Sequence, residues 1–92
     1  MIRISLINEC LNLDSIEISN LTTTPLDHKR TLLGIFRILD KMSGTDHATT
    51  YDYDQSMRLT MLSWTIPAYI SRDIYDILKI YLTHHNMQFQ EE

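Results

Sequence analysis

Ninety-two residues (10.9 kDa), 43% apolar and 22% charged with only two Gly and two Pro, are enough for one core and exclude the disordered, collagen-like and low-complexity classes. Eight basic against twelve acidic side chains leave a net charge of −4, so the basic footprint of a non-specific nucleic-acid binder is missing. The single cysteine, Cys10, allows no intrachain disulfide, and no stretch has the order of a signal peptide. The apolar run Leu59 to Ile66 is broken by Thr60, Ser63 and Thr65 and is too short to span a bilayer; together these features predict a cytoplasmic chain with no membrane partner.

Ile and Leu occur twelve times each while Val is absent, an imbalance that packing does not ask for. Residues with AT-rich codons (Ile, Met, Asn, Lys, Tyr, Phe) number 31 against 11 with GC-rich ones (Gly, Ala, Arg, Pro), which suggests an AT-rich gene of the kind that phages and plasmids carry. Large apolar side chains total 37, a heavy load for so small a globule, and the surplus predicts a contact with a partner, a second copy included.

Met1 to Ile7 alternates Ile2, Ile4 and Leu6 with Arg3 and Ser5, and Ser15 to Leu21 alternates Ile16 and Ile18 with Glu17 and Ser19; both read as strands. The first segment has a helical rival, because Ile4, Ile7 and Leu11 also fit a period of 3.6. Pro25 in a first turn, Asp27 behind it and Gly44 after Lys41 predict a helix over 25–42. Its apolar stripe is Leu32, Ile35, Phe36, Ile38, Leu39 and Met42, and Arg30, Gly34, Arg37 and Lys41 line the opposite side.

Residues 43–50 read as a loop carrying Asp46 and His47. From Tyr51 to Met61 the apolar residues Tyr51, Tyr53, Met57, Leu59 and Met61 hold odd positions, and the phase then flips to Leu62, Trp64 and Ile66, which predicts a bulge or a hairpin turn around Asp54-Gln55-Ser56 within a strand region 50–64. Past Pro67, Ile70, Ile74, Ile77, Leu78, Tyr81 and Leu82 recur at three and four, giving a second helix over 68–85. Met87 to Glu92 reads as a polar tail.

Chemical signatures are sparse. With Gly only at 34 and 44 there is no phosphate-cradling loop, and no nucleophile elbow is present. Cys10 could pair with His28, His47, His84 or His85, but a lone cysteine among apolar neighbours predicts a small buried hydrophobe. Adjacent His84 and His85 point about 100° apart on a helix and cannot chelate one ion together. The acidic segment lacks the Gly and Glu of a calcium loop, so no metal and no cofactor are expected.

Two features remain. Between 43 and 56 there are three negative charges and no positive one, and an extended 51–54 would put Asp52 and Asp54 on one face with Tyr51 and Tyr53 on the other. The second is the basic stripe Arg30, Arg37 and Lys41. The sequence therefore predicts an α+β fold of one domain over 1–92, about three strands packed on two amphipathic helices, with an all-α fold as fallback. It predicts no enzyme but a small acidic regulator or inhibitor that binds another protein, possible dimerisation included, through Asp46, Tyr51, Asp52, Tyr53 and Asp54. The alternative is a nucleic-acid-related role, either as an acidic mimic of DNA or by phosphate contact through the basic stripe; direct binding of nucleic acid is disfavoured by the overall charge.

Overall fold

The computed structural model describes residues 1–43 and 48–92. Alternating Ile2, Ile4 and Leu6 and alternating Ile16 and Ile18 do form strands, β1 (Ile2–Cys10) and β2 (Leu13–Ser19), joined at Asn12, whose φ of 77° is tolerated by a short polar side chain. They are followed by α1 (Leu26–Ser43), β3 (Ala48–Tyr53), β4 (Leu59–Pro67), α2 (Ala68–His84) and β5 (Phe89–Glu91). The α+β class is as the sequence predicts, and the all-α fallback falls away. The sheet has five strands rather than three, in the order β3-β4-β2-β1-β5, antiparallel throughout except for the parallel pair β1 and β5.

The excess over three strands has two local causes. The region 50–64 is split by a turn in which the Met57 N–H donates to the Asp54 carbonyl (3.0 Å) and the Asp54 N–H to the Arg58 carbonyl (2.9 Å), with Met57 in the left-handed region at φ 63°. A bulge also occurs, since Asp52 pairs with Met61 and Tyr53 with Leu59, leaving Thr60 unmatched and shifting the phase. The second cause is β5, built from residues that read as a tail. Asn86, at φ 56°, ends α2 in a Schellman arrangement in which the Met87 N–H donates to the Leu82 carbonyl (2.9 Å) and the Asn86 N–H to the Thr83 carbonyl (3.0 Å). Met87 is thereby buried, and Phe89 is laid against Ile2.

Cross-strand partners share a face. Ile4 with Ile18, Ile16 with Trp64 and Ile18 with Leu62 form the inner face, where they pack with Leu32, Ile35, Phe36 and Leu39 of α1 and Ile74, Leu78 and Leu82 of α2 in one core. Both helices thus cover one face of the sheet. The other face carries Arg3, Ser5, Glu17, Ser63, Thr50 and Asp52 and has no helix on it. Between the layers, the buried Ser71 hydroxyl of α2 donates to the Asp14 carboxylate of β2 at 2.5 Å, and the Asn8 amide donates to its other oxygen at 3.0 Å. Among the described residues no helix is long and apolar enough to cross a membrane.

Candidate interaction edge

Of the five acidic and aromatic positions, Asp46 lies outside the described residues and the other four fall on β3 and its turn. Pairing fixes their directions. Tyr51 opposes Leu62 and Tyr53 opposes Leu59, so both rings stand on the helix side of the sheet, whereas Asp52 opposes Met61 on the open side. Tyr51 and Tyr53 keep 45% and 56% of their surface exposed.

Asp54 does not share this free position. Its Oδ1 accepts the backbone N–H groups of Ser56 and Arg58 (both 2.9 Å) and its Oδ2 accepts the Arg58 Nε (2.9 Å). The Arg58 backbone N–H is the largest cause that holds this carboxyl below the usual carboxylate range, with the Ser56 N–H and the Arg58 guanidinium adding to it against partial desolvation. Asp54 is therefore a hairpin residue. Asp52 is the carboxylate on β3 that faces solvent.

The basic stripe is exposed at Arg30, Arg37 and Lys41, and nothing approaches Gly34 between them. Arg37 does more than the sequence indicates. Together with Leu33, Phe36 and Asp40 of α1 and Thr49 and Tyr51 of β3 it lines a slot of about 100 Å³, the space between the last turns of the helix and the last strand of the sheet. Sequence periodicity places Phe36 and Leu33 near a core but cannot say which strand they meet.

β3 pairs with β4 on one side, and among the described residues no strand pairs with its other side. Six residues long, it has the residue types of a good strand at Thr49, Thr50, Tyr51 and Tyr53. It carries no Lys, Pro or Gly to discourage a further strand. Larger hollows offer less. A groove of about 590 Å³ at Asp76, Lys79, Ile80, Thr83 and His84 is walled by α2 alone, and a cleft of about 280 Å³ beside Met1, Thr23, Thr24 and His28 opens at the far end of β1.

Nucleophile chemistry built on the cysteine finds no geometry among the described residues. Cys10 is exposed at the hairpin end, not buried as the sequence suggests, because the last three residues of β1 run past the covered part of the sheet. His28 lines the cleft at the opposite end of a nine-residue strand, roughly 25 Å away at about 3.3 Å per residue. His84 and His85 are both exposed, with ring centroids 5.3 Å apart and ring planes at 82°, and no group of three metal-ligating side chains occurs among the described residues. His47 lies outside them.

No family model and no curated protein matches the sequence. Among solved structures, the chain is similar over its whole length to the ribosomal processing protease Prp from S. aureus in complex with a substrate peptide, at TM-score 0.52 and 8% identity over 98% of that chain. It is similar in the same way to a hypothetical protein from Staphylococcus aureus, at TM-score 0.52 and 11% identity over 100% of that chain. At such identities the likeness is one of fold alone. It nevertheless overturns the expectation that the chain is no enzyme: that expectation rested on missing linear motifs, and this fold carries a protease at 8% identity.

Proposed function

We propose that the chain is a protein-binding module whose site is the open edge of β3, where an extended segment of another protein adds a sixth strand to the sheet. The observation that carries this reading is the edge itself, a six-residue strand with four Thr and Tyr residues, one side unpaired among the described residues and a slot beside it. Backbone hydrogen bonds along β3 supply the affinity and side-chain pockets the choice of partner. On the helix side Tyr51 and Tyr53 offer large contact area at low entropic cost, and the slot takes one side chain of the incoming segment. On the open side Asp52 favours a basic residue in the neighbouring position and speeds encounter with a basic partner. Masking a strand-shaped segment in this way is how so small a chain would act as a regulator or inhibitor. The acidic-mimic alternative is less well supported, because Asp54 spends its carboxylate on its own hairpin.

The test is site-specific photo-cross-linking in cells, with benzoylphenylalanine in place of Tyr53 or, as control, of Tyr69, which is 81% exposed on α2. Adducts with another protein are expected from position 53 and not from 69, and Thr50→Lys in the same chain should abolish them. Adducts that arise at 69 alone, or that persist unchanged with Thr50→Lys, would overturn the reading.

A further inference from the structure

The β3 edge has a chemistry that is nearly its own complement. We infer that, when no other segment occupies it, the edge pairs with β3 of a second copy, antiparallel about a two-fold axis at Tyr51, to give one continuous ten-stranded sheet. This rests on the reading of β3 as an edge open to strand addition.

Three constraints select that register. Residues directly opposite one another share a face, so a pairing that sets an even position against an odd one would put the two helix layers on opposite sides of the sheet and set Thr50, on the open face, against Tyr51, on the helix face. Of the pairings that keep the layers together, the one centred on Asp52 sets two carboxylates face to face, which is repulsive. The one centred on Thr50 carries Tyr53 past Ala48, the first residue of the strand, and leaves it without a strand partner. The pairing centred on Tyr51 does neither. It matches Tyr51 with Tyr51 of the second copy, Asp52 with Thr50 and Tyr53 with Thr49.

That last pair provides the complementarity. Thr49 is a wall of the slot formed with Leu33, Phe36, Arg37, Asp40 and Tyr51, and Tyr53 is an aromatic ring 56% exposed on the same face. In this register the Tyr53 ring of each copy lies at the mouth of the other copy's slot, with its hydroxyl toward the Arg37 guanidinium at the rim. Tyr53 of each chain filling the slot of the other is the arrangement an isologous two-fold contact requires. The contact is a strip one strand wide and falls below the size of standard stable interfaces. The dimer is therefore reversible, with a dissociation constant at or above the micromolar range, and a partner segment competes with it for the same backbone groups.

The experiment uses the full chain with Cys10→Ser, which removes its one cysteine. In this background Tyr51→Cys puts a thiol on the axis, where opposed Cα atoms lie about 4.5–5.5 Å apart, within reach of a disulfide. Mild oxidation should yield a covalent dimer at a rate at least about tenfold above that of Tyr69→Cys. Sedimentation of the unaltered chain, which needs no substitution, should show a monomer giving way to dimer up to on the order of 100 µM, and Thr50→Asp, which sets a second carboxylate opposite Asp52 of the other copy, should raise the dissociation constant about tenfold or more without altering the circular dichroism. A clean monomer across that range, or equal oxidation at 51 and 69, overturns the dimer while leaving capture of another protein's segment to the cross-linking result above.

Discussion

At β5 the sheet ends on three residues whose one charge is engaged: Lys79 bridges Glu91 (3.2 Å) and Asp76 (3.3 Å), and just past the strand Arg3 meets Glu92 at 3.6 Å. At β3 it ends on six residues with one unengaged carboxylate, two half-exposed tyrosines and a slot behind them. Both strands have the same unpaired backbone on their outer side, so what separates them is length and side-chain charge. A short, charged edge discourages a further strand, and a long one rich in Thr and Tyr accepts it. Which edge of a sheet is a binding site is thus decided by a handful of side chains that contribute little to the fold.

The comparison breaks most completely when the wall behind β3 is removed. Trp64 is 1% exposed and meets Phe36 edge to face with ring centroids 5.5 Å apart, and Phe36 in turn lines the slot. Trp64→Ala should cost about 3–5 kcal/mol in urea denaturation and abolish association at β3; a loss below about 1 kcal/mol would mean that another residue supports the strand.

The β5 edge can be loosened by pH. Burial, and after it the Glu91 carboxylate, push the phenol of Tyr75 up to about 12, while Lys79 stands 5.1 Å over its ring. The folded chain holds this proton more tightly than the unfolded chain, whose phenol titrates near 10, so the contribution is complete below about pH 10 and is lost as pH rises toward 12. Lys79 is itself raised, chiefly by its hydrogen bond to Glu91, so its contribution is lost over the same rise in pH, and Tyr75→Phe isolates the part that belongs to the phenol. Stability measured from pH 9 to 12 should fall more steeply for the wild type than for Tyr75→Phe, with amide exchange rising at β5 before β3; identical slopes would remove Tyr75 from the account.

The smallest effect sharpens the other edge. Met57 holds a left-handed backbone at φ 63° with 77% of its surface exposed, so Met57→Gly relieves the strain and gives up little packing. A gain of about 0.5–1 kcal/mol is expected in thermal melts, together with tighter association through a better ordered β3; a loss would show that the exposed Met side chain packs in the hairpin.

Much of the scaffold was legible because its signals repeat. The apolar spacing of α1 and α2 fixed both helices to within a residue, 25–42 against Leu26–Ser43 and 68–85 against Ala68–His84. The phase flip after Met61 pointed to a bulge or a turn as alternatives, and the strand region holds both. β5 was missed because a three-residue strand has no period to detect; its one signal was Asn86 at the helix end followed by Met87 and Phe89, with Asn where a glycine is usually sought. The site was half legible. Alternation separated Tyr51 and Tyr53 from Asp52, but whether β3 lies at the edge or the centre of the sheet is a property of topology, and the slot needs Phe36 and Thr49 to meet across 13 residues of chain.

The parallel pairing of Ile2 with Phe89 has a consequence for the order of events during synthesis. β1 can find β2 as soon as the hairpin is made, yet its other flank has no mate until residues 89–91 have been translated and have cleared the exit tunnel. Throughout that interval β1 is bare on one flank, with a second bare flank on β2 until β4 joins it and on β3 afterwards, and the nascent chain is then most exposed to mispairing with its neighbours on a polysome. Slowing translation across the last helix would lengthen the interval, and lowering expression temperature or co-producing a chaperone should recover more protein for this chain than for one whose final strand joins by a local hairpin.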